Sequence, residues 1–207
     1  MARYFDVHPV NPQLRALSQV ADIISEGGLV AYPTDSGYAL GVRFGNREGL
    51  ERIRRLRHLD EGHHFTLVVD EFAKLGAFVT MDNRIFRAVK AATPGQYTFI
   101  LRATKEVPRA MAHPKKRTVG VRIPQNVTAL ALLATLGEPL MSSSLILPGE
   151  TEPQVDGWTV KDALDHELDA VLDSGDAGTE LTTVVDLSGD EPEILRVGAG
   201  DPSPFVV

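Results

Sequence analysis

Four places in this chain gather side chains able to hold or transform a polar ligand. The first is Pro33-Thr34-Asp35-Ser36-Gly37-Tyr38-Ala39-Leu40-Gly41, which directly follows the apolar run Leu29-Val30-Ala31-Tyr32. That order predicts a buried strand opening into a polar mouth, where hydroxyls and free backbone N–H groups at a strand end can hold a small polar molecule. Thr34 and Tyr38 are its candidate ligand contacts. The second is a set of guanidiniums, Arg52, Arg54, Arg55 and Arg57, on one predicted helix. Guanidinium suits planar, bidentate clamping of phosphate or carboxylate. Successive helical residues turn by about 100°, so Arg54 and Arg57 lie nearly on one side, Arg55 is displaced, and only some can reach a site. A basic face open to solvent explains the same residues equally well.

The third place is Val119-Gly120-Val121-Arg122-Ile123-Pro124. Strand alternation puts Val119, Val121 and Ile123 on one side and Gly120 with Arg122 on the other, so the arginine either faces a ligand space beside the glycine or rests on a solvated sheet face. The fourth is Ser142-Ser143-Ser144, set between Leu140-Met141 and Leu145-Ile146-Leu147. These hydroxyls are expected to be at least half-buried, and buried hydroxyls need partners, either backbone carbonyls or a ligand. The histidines His58, His63 and His64 lack the spacing of a metal site, and solvent exposure is the default expectation for them. His63 is kept as a candidate ligand contact. Asp165-His166-Glu167 falls on a predicted helix, where successive side chains diverge, and is assigned to the surface.

The elements that must position these groups alternate. Residues 12–26 show helical periodicity through Leu14, Leu17, Val20, Ala21 and Ile24 and stop at Gly27-Gly28. Strands follow at 29–32 and near 39–44, then a helix over Arg47–Arg57 and a strand over Phe65–Val69. Helices near 71–78 and 83–92 precede strands at Tyr97–Leu101 and Val119–Ile123. A helix at 127–136 ends at Gly137, and a strand follows over Leu140–Leu145. A helix at 159–168 and strands near 170–173, 182–187 and 193–197 close the pattern. The polar stretch Pro148–Trp158 reads as a surface connection, with a lid over the site as the other reading.

The bulk properties narrow the class. A chain of 207 residues with 43% apolar content supports one sizeable core, so one domain over 1–207 is expected. The charge is lopsided: residues 1–147 carry 19 Lys/Arg against 13 Asp/Glu, whereas residues 148–207 carry 2 against 15. An acidic total argues against indiscriminate nucleic-acid binding, while a locally basic face can still hold phosphates. The absence of cysteine removes thiol catalysis and thiolate-held metals. No GxxxxGK[ST], GxGxxG or HExxH pattern is present. The N-terminus lacks a signal-peptide core and no stretch is long enough to span a membrane, so a cytoplasmic location is expected. Composition leaves monomer and homodimer open.

Five ordered segments resemble the YrdC-like threonylcarbamoyl-AMP synthase family, and most closely its YciO branch. PTDSGYALG at 33–41 is similar to that family's PT[DE]TxYGLG, PGQYTFIL at 94–101 to PGPxTxIL, and VGVRIP at 119–124 to VAVRxP. LTTVVD at 181–186 with ILRVG at 194–198 resembles the closing STVVD and LRxG pair. Arg55-Leu56-Arg57 and the start of the HHFTLVV strand point to the branch. The resemblance implies an α/β (mixed α+β) fold, a twisted mixed open sheet flanked by helices with a concave basic cavity. It implies binding of ATP with Mg²⁺, L-threonine and bicarbonate, formation of threonylcarbamoyl-AMP and pyrophosphate for tRNA modification, and no resident metal. A module that binds double-stranded RNA or tRNA with the same cavity, without turnover, is the other reading. Carried over by position, Arg55 and Arg57 stand at the family's Lys-x-Arg pair, and with Ser144 they form the expected catalytic set. Thr34, Thr98, Arg122, Thr183 and Arg196 would contact substrates, joined by Tyr38, His63 and Ser142. Two positions depart from the pattern. Arg55 replaces a lysine, and Ile146 replaces the asparagine of Ser-x-Asn, a lost polar contact that costs about 1–3 kcal/mol of stabilisation.

Overall fold

The computed structural model describes residues 1–175 and 177–206. Its strands are β1 (Arg3–Asp6), β2 (Val30–Thr34), β3 (Gly37–Arg43), β4 (Thr66–Val68), β5 (Val79–Thr80), β6 (Tyr97–Ala103), β7 (Thr118–Arg122), β8 (Leu140–Ser144), β9 (Ala170–Asp173), β10 (Thr183–Asp186) and β11 (Glu193–Arg196). The helices are α1 (Leu14–Ser25), α2 (Arg47–Arg57), α3 (Asn83–Ala92), α4 (Val127–Leu136) and α5 (Gly157–Leu164). Four helices begin where a short polar side chain accepts an N–H of the first turn: Asn46, Asp82, Asn126 and Asp156 receive the amides of Gly49, Ile85, Ala129 and Thr159. α4 stops at Gly137, which takes the left-handed conformation with φ 73°.

All of these strands belong to one mixed sheet in the order β1-β9-β2-β3-β8-β4-β7-β6-β10-β11, with β5 added beside β6. The expected mixed sheet flanked by helices is therefore observed. Three expectations are corrected. The N-terminal segment forms β1, paired in parallel with β9, although its short apolar content gave no strand signal. Residues 72–77 are a 3-10 turn rather than an α-helix. The last helix covers 157–164, so Asp165, His166 and Glu167 lie beyond it. The 148–158 segment is tied down: Gln154 accepts the Tyr38 amide at 2.7 Å and donates its own to Leu145 O at 2.9 Å. Trp158 stands edge-on to the Tyr4 ring at 5.4 Å rather than on the polar cavity. The segment is a surface connection.

Register shows how the site is made. One row across the sheet, Val42-Met141-Leu67-Val121-Phe99-Val185, is almost wholly buried in the larger apolar cluster. The adjacent row, Gly41-Ser142-Thr66-Gly120-Ile100, points to the opposite face. α1 and α4 cover part of that face, packing Leu17, Val20, Ile24, Leu132 and Leu133 on Val30, Tyr32, Leu140 and Leu172. Over β8, β4, β7, β6 and β10 it is left concave and polar.

Candidate functional site

The uncovered part of the second face is a cavity of about 400 Å³. Its floor is built from small residues because the alternation that buries valine and leucine beneath leaves glycine, serine and threonine above. A Cβ on Gly120 would meet Thr66 Oγ1 at 3.0 Å and Phe65 O at 3.1 Å, so the floor is low there because the residue is glycine.

Arg122 projects from β7 into this cavity as its strand alternation predicts, with Val119, Val121 and Ile123 in the core behind it. Its two terminal nitrogens donate to Ser36 Oγ and Asp35 Oδ1, both at 2.7 Å. Asp35 Oδ1 also accepts the Gln125 amide at 3.1 Å. The Pro33–Gly41 mouth is thus pinned to β7 by a buried ion pair. Thr34 lines the cavity, but its hydroxyl serves the turn, donating to Gly37 O at 2.6 Å and accepting the Ser36 amide at 3.0 Å. Tyr38 also borders the cavity, yet its phenol turns away to donate to Asp173 Oδ1 at 2.7 Å, and burial followed by that carboxylate pushes its pKa well above the usual range. The expectation that its hydroxyl meets a ligand is corrected.

Two further guanidiniums face the same space. Arg57, from the C-terminal end of α2, donates from Nε to Ile146 O at 3.2 Å and from Nη1 to Ser143 Oγ at 2.5 Å. Arg196, from the edge strand β11, donates to Thr182 O and to Thr182 Oγ1, and the latter is 2.9 Å from Thr98 Oγ1. Neither forms an ion pair among the described residues. Burial and the Arg196 charge hold Arg57 down to about 10, and burial and the Arg122 charge lower Arg196 as well. Arg55 does not reach the cavity: it is exposed, about 200° around α2 from Arg57, so its expected catalytic place is corrected. Arg54 instead caps the following loop, donating to Asp60 O at 2.6 Å with its guanidinium over the Phe65 ring.

Of the three serines, Ser142 donates to Leu40 O at 2.8 Å and accepts from the Tyr32 hydroxyl at 2.8 Å, while Ser144 borders the cavity without a side-chain partner among the described residues. His63 and His64 are half-buried cavity residues, not exposed ones. His63 Nε2 lies 3.0 Å from Ser143 Oγ, and burial, then Arg57 and Arg54, lower its pKa to about 4. His64 Nε2 lies 3.0 Å from Thr118 Oγ1 with its ring stacked on His113. Thr183 is absent from the cavity. Fully buried on the core face, it donates to Gly200 O at 2.5 Å and accepts the Gly198 amide at 2.9 Å, whereas its neighbour Thr182 faces the ligand space. Sequence reasoning missed Thr182 and Thr66. Strand alternation from Val185 would have found the first, and the same rule applied to Phe65–Val69 the second.

The open mixed sheet thus carries a recessed cavity whose lining joins hydroxyls with the guanidiniums of Arg57, Arg122 and Arg196. The Sua5/YciO/YrdC family model, described as telomere recombination, matches residues 22–198, and the chain belongs to that family. It is 46% identical over 207 residues to an uncharacterised protein of Haemophilus influenzae and 45% identical over 206 residues to YciO of Escherichia coli, in both cases over 100% of each chain. A threonylcarbamoyl-AMP synthase of Thiobacillus denitrificans is 33% identical over 129 residues, 62% of this chain and 68% of the synthase. The crystal structure of E. coli YciO superposes with a TM-score of 0.96 over 100% of both chains at 45% identity. Sua5 of P. abyssi, solved in complex with L-threonine, shares the fold at TM-score 0.85 and 24% identity, over 94% of this chain and 57% of Sua5.

Proposed function

We propose that the cavity binds ATP with its Mg²⁺, together with L-threonine and bicarbonate, and joins them into threonylcarbamoyl-AMP with release of pyrophosphate, the activated group for modification of tRNA. The observation that carries this reading is the pair Arg57 and Arg196, two half-buried guanidiniums on one cavity with no carboxylate partner among the described residues. Uncompensated charges away from water repel each other and are costly, and a bound polyphosphate relieves both effects. The threonylcarbamoyl-AMP synthases among the relatives and the L-threonine held by P. abyssi Sua5 support the choice of substrates.

Threonine's amine takes up carbon dioxide or bicarbonate as a carbamate, whose oxygen attacks the α-phosphorus of ATP while the bond to pyrophosphate breaks. Arg57 and Arg196 stabilise the charge on the phosphoryl oxygens, and the Mg²⁺ brought in with ATP would supply further charge neutralisation. Ser144 and Thr98 offer hydroxyls to the amino acid. Ile146 lines the cavity where the family pattern has an amide, so slow turnover is expected. Recognition of double-stranded RNA is less well supported, because Arg57 and Arg196 are recessed in a cavity sized for a nucleotide. The reading is tested by measuring pyrophosphate and threonylcarbamoyl-AMP with all three substrates. Product from the parent protein and its loss in Arg57→Ala support it; ATP binding unaltered by Arg57→Ala overturns the site assignment.

A further inference from the structure

The cluster of Arg57, His63 and Ser143 holds more chemistry than anion binding requires. A serine hydroxyl has one proton and two lone pairs. One lone pair of Ser143 Oγ receives the Arg57 N–H, and His63 Nε2 lies 3.0 Å from the same oxygen; in the tautomer that carries the ring proton on Nδ1, the serine proton is given to Nε2. A hydroxyl shared with an unprotonated imidazole is an activated nucleophile, and the guanidinium on the same oxygen stabilises the charge it gains as the proton leaves. The other two serines lack this setting: the hydroxyl of Ser142 is spent on Leu40 O and Tyr32, and Ser144 has no base within hydrogen-bond reach among the described residues.

The geometry points to Ser143 and His63 as a nucleophile and base that hydrolyse mixed anhydrides between a carboxylic or carbamic acid and a phosphate, that is, acyl-adenylates and acyl phosphates. This rests on the reading of Arg57 and Arg196 as the holders of a phosphate. Ser143 Oγ attacks the carbonyl carbon and its proton passes to His63 Nε2. The carbon–oxygen bond to phosphate breaks, and the phosphate departs with the electron pair, taking the proton from His63. The neutral ring then removes a proton from water, the hydroxide adds to the ester carbon, and the bond to Oγ breaks as His63 returns the proton to Ser143. The net reaction consumes one water per anhydride.

The groups facing His63 make the base dependent on occupancy. Arg57 and Arg54 on α2 oppose its protonation, as does His64, while Asp60 in the same loop favours it. A phosphate on Arg57 offsets the largest of these charges, so His63 gains basicity when a substrate fills the cavity.

The experiment incubates the full chain with acetyl-AMP and, separately, acetyl phosphate. It follows release of AMP or phosphate, maps acetylated residues after acid quenching, and measures ATP affinity in parallel. The expected result is release faster than in buffer, acetyl trapped on Ser143, and loss of release by about 100-fold or more in both Ser143→Ala and His63→Gln. The trapped acetyl group reads the nucleophile in the parent protein without any variant. ATP binding with neither acceleration nor acetyl-Ser143 overturns the pair and leaves the nucleotide reading intact. Acetyl-Ser143 without ATP binding supports the pair and overturns the nucleotide reading. Release by Ser143→Ala at the parent rate overturns the pair.

Discussion

The two faces of the central sheet are written by the same strands and behave as different materials. On one, Val42, Met141, Leu67, Val121, Phe99 and Val185 form a continuous apolar row with almost no exposure. One residue along each strand, Gly41, Ser142, Thr66, Gly120 and Ile100 line up on the other, and beside them stand the arginines. Stability is therefore concentrated beneath the site and chemistry above it, on a shared backbone. A site carried on such strands is held rigidly, because moving any of these floor residues requires moving a buried apolar side chain next to it. The two α-helices that cover the β2 and β9 end of the second face mark the boundary: where α1 and α4 pack, that face is core, and where they stop, it is cavity.

Substitutions that respect or cross this division test it. The largest effect is expected on the apolar face: Phe99→Ala should cost about 3–5 kcal/mol in urea unfolding, because it empties a large, fully buried side chain's volume. Its neighbour Thr98→Ala should change stability by far less and act instead on ligand affinity. A Phe99→Ala cost no larger than that of Thr98→Ala would break the division. Next, Arg57→Ala should weaken ATP binding by roughly 10- to 100-fold, corresponding to loss of a charge-assisted contact, with little change in the urea midpoint. Titration calorimetry at fixed salt reads the first quantity, and a variant that loses stability rather than affinity would assign Arg57 to the scaffold.

The adjacent threonines sharpen the contrast within one dipeptide. Thr183→Val should lower stability by about 1–3 kcal/mol by leaving Gly200 O and the Gly198 amide without their partner, with ligand affinity following only the loss of fold. Thr182→Val removes the hydroxyl that receives Arg196 Nη2 and meets Thr98, so it should act on anion affinity first. Equal stability losses without any affinity difference would erase the distinction between the faces at β10.

Much of this division was legible in the residues. Alternation in VGVRIP correctly separated Arg122 and Gly120 from the three apolar side chains, and the helix bounds of 47–57, 83–92 and 127–136 follow from caps and periodicity that are local. Legibility failed where the answer is tertiary. Arg55 and Thr183 were carried into the site by resemblance of position, although turn angle and strand alternation place both elsewhere. β1 is a strand only because β9 lies beside it, 167 residues away in register, which no local pattern encodes. His63 and His64 read as exposed because the loop that folds them over β8 and β7 is held by Arg54 and Thr118, contacts set by the assembled sheet.

The smallest expected effect comes from His63, whose ring borders the cavity and hydrogen-bonds the hydroxyl of Ser143, another cavity-lining residue. Burial and the neighbouring arginines lower its pKa from 6.5 to about 4. In the unfolded chain the imidazole is free to take a proton near its ordinary value, so between about pH 6.5 and 4 the unfolded state binds more protons than the folded one. Stability then rises with pH across that window and falls on acidification, with no contribution above it. After screening of the partly exposed ring, a loss of about 1 kcal/mol is expected by pH 4, read as the difference between parent and His63→Gln because carboxylates common to both titrate there too. Saturating phosphate should shrink that difference, since an anion on Arg57 removes much of the field that opposes protonation. A parent and variant with parallel pH profiles, with or without phosphate, would separate His63 from the arginine it faces and return the ring to the scaffold.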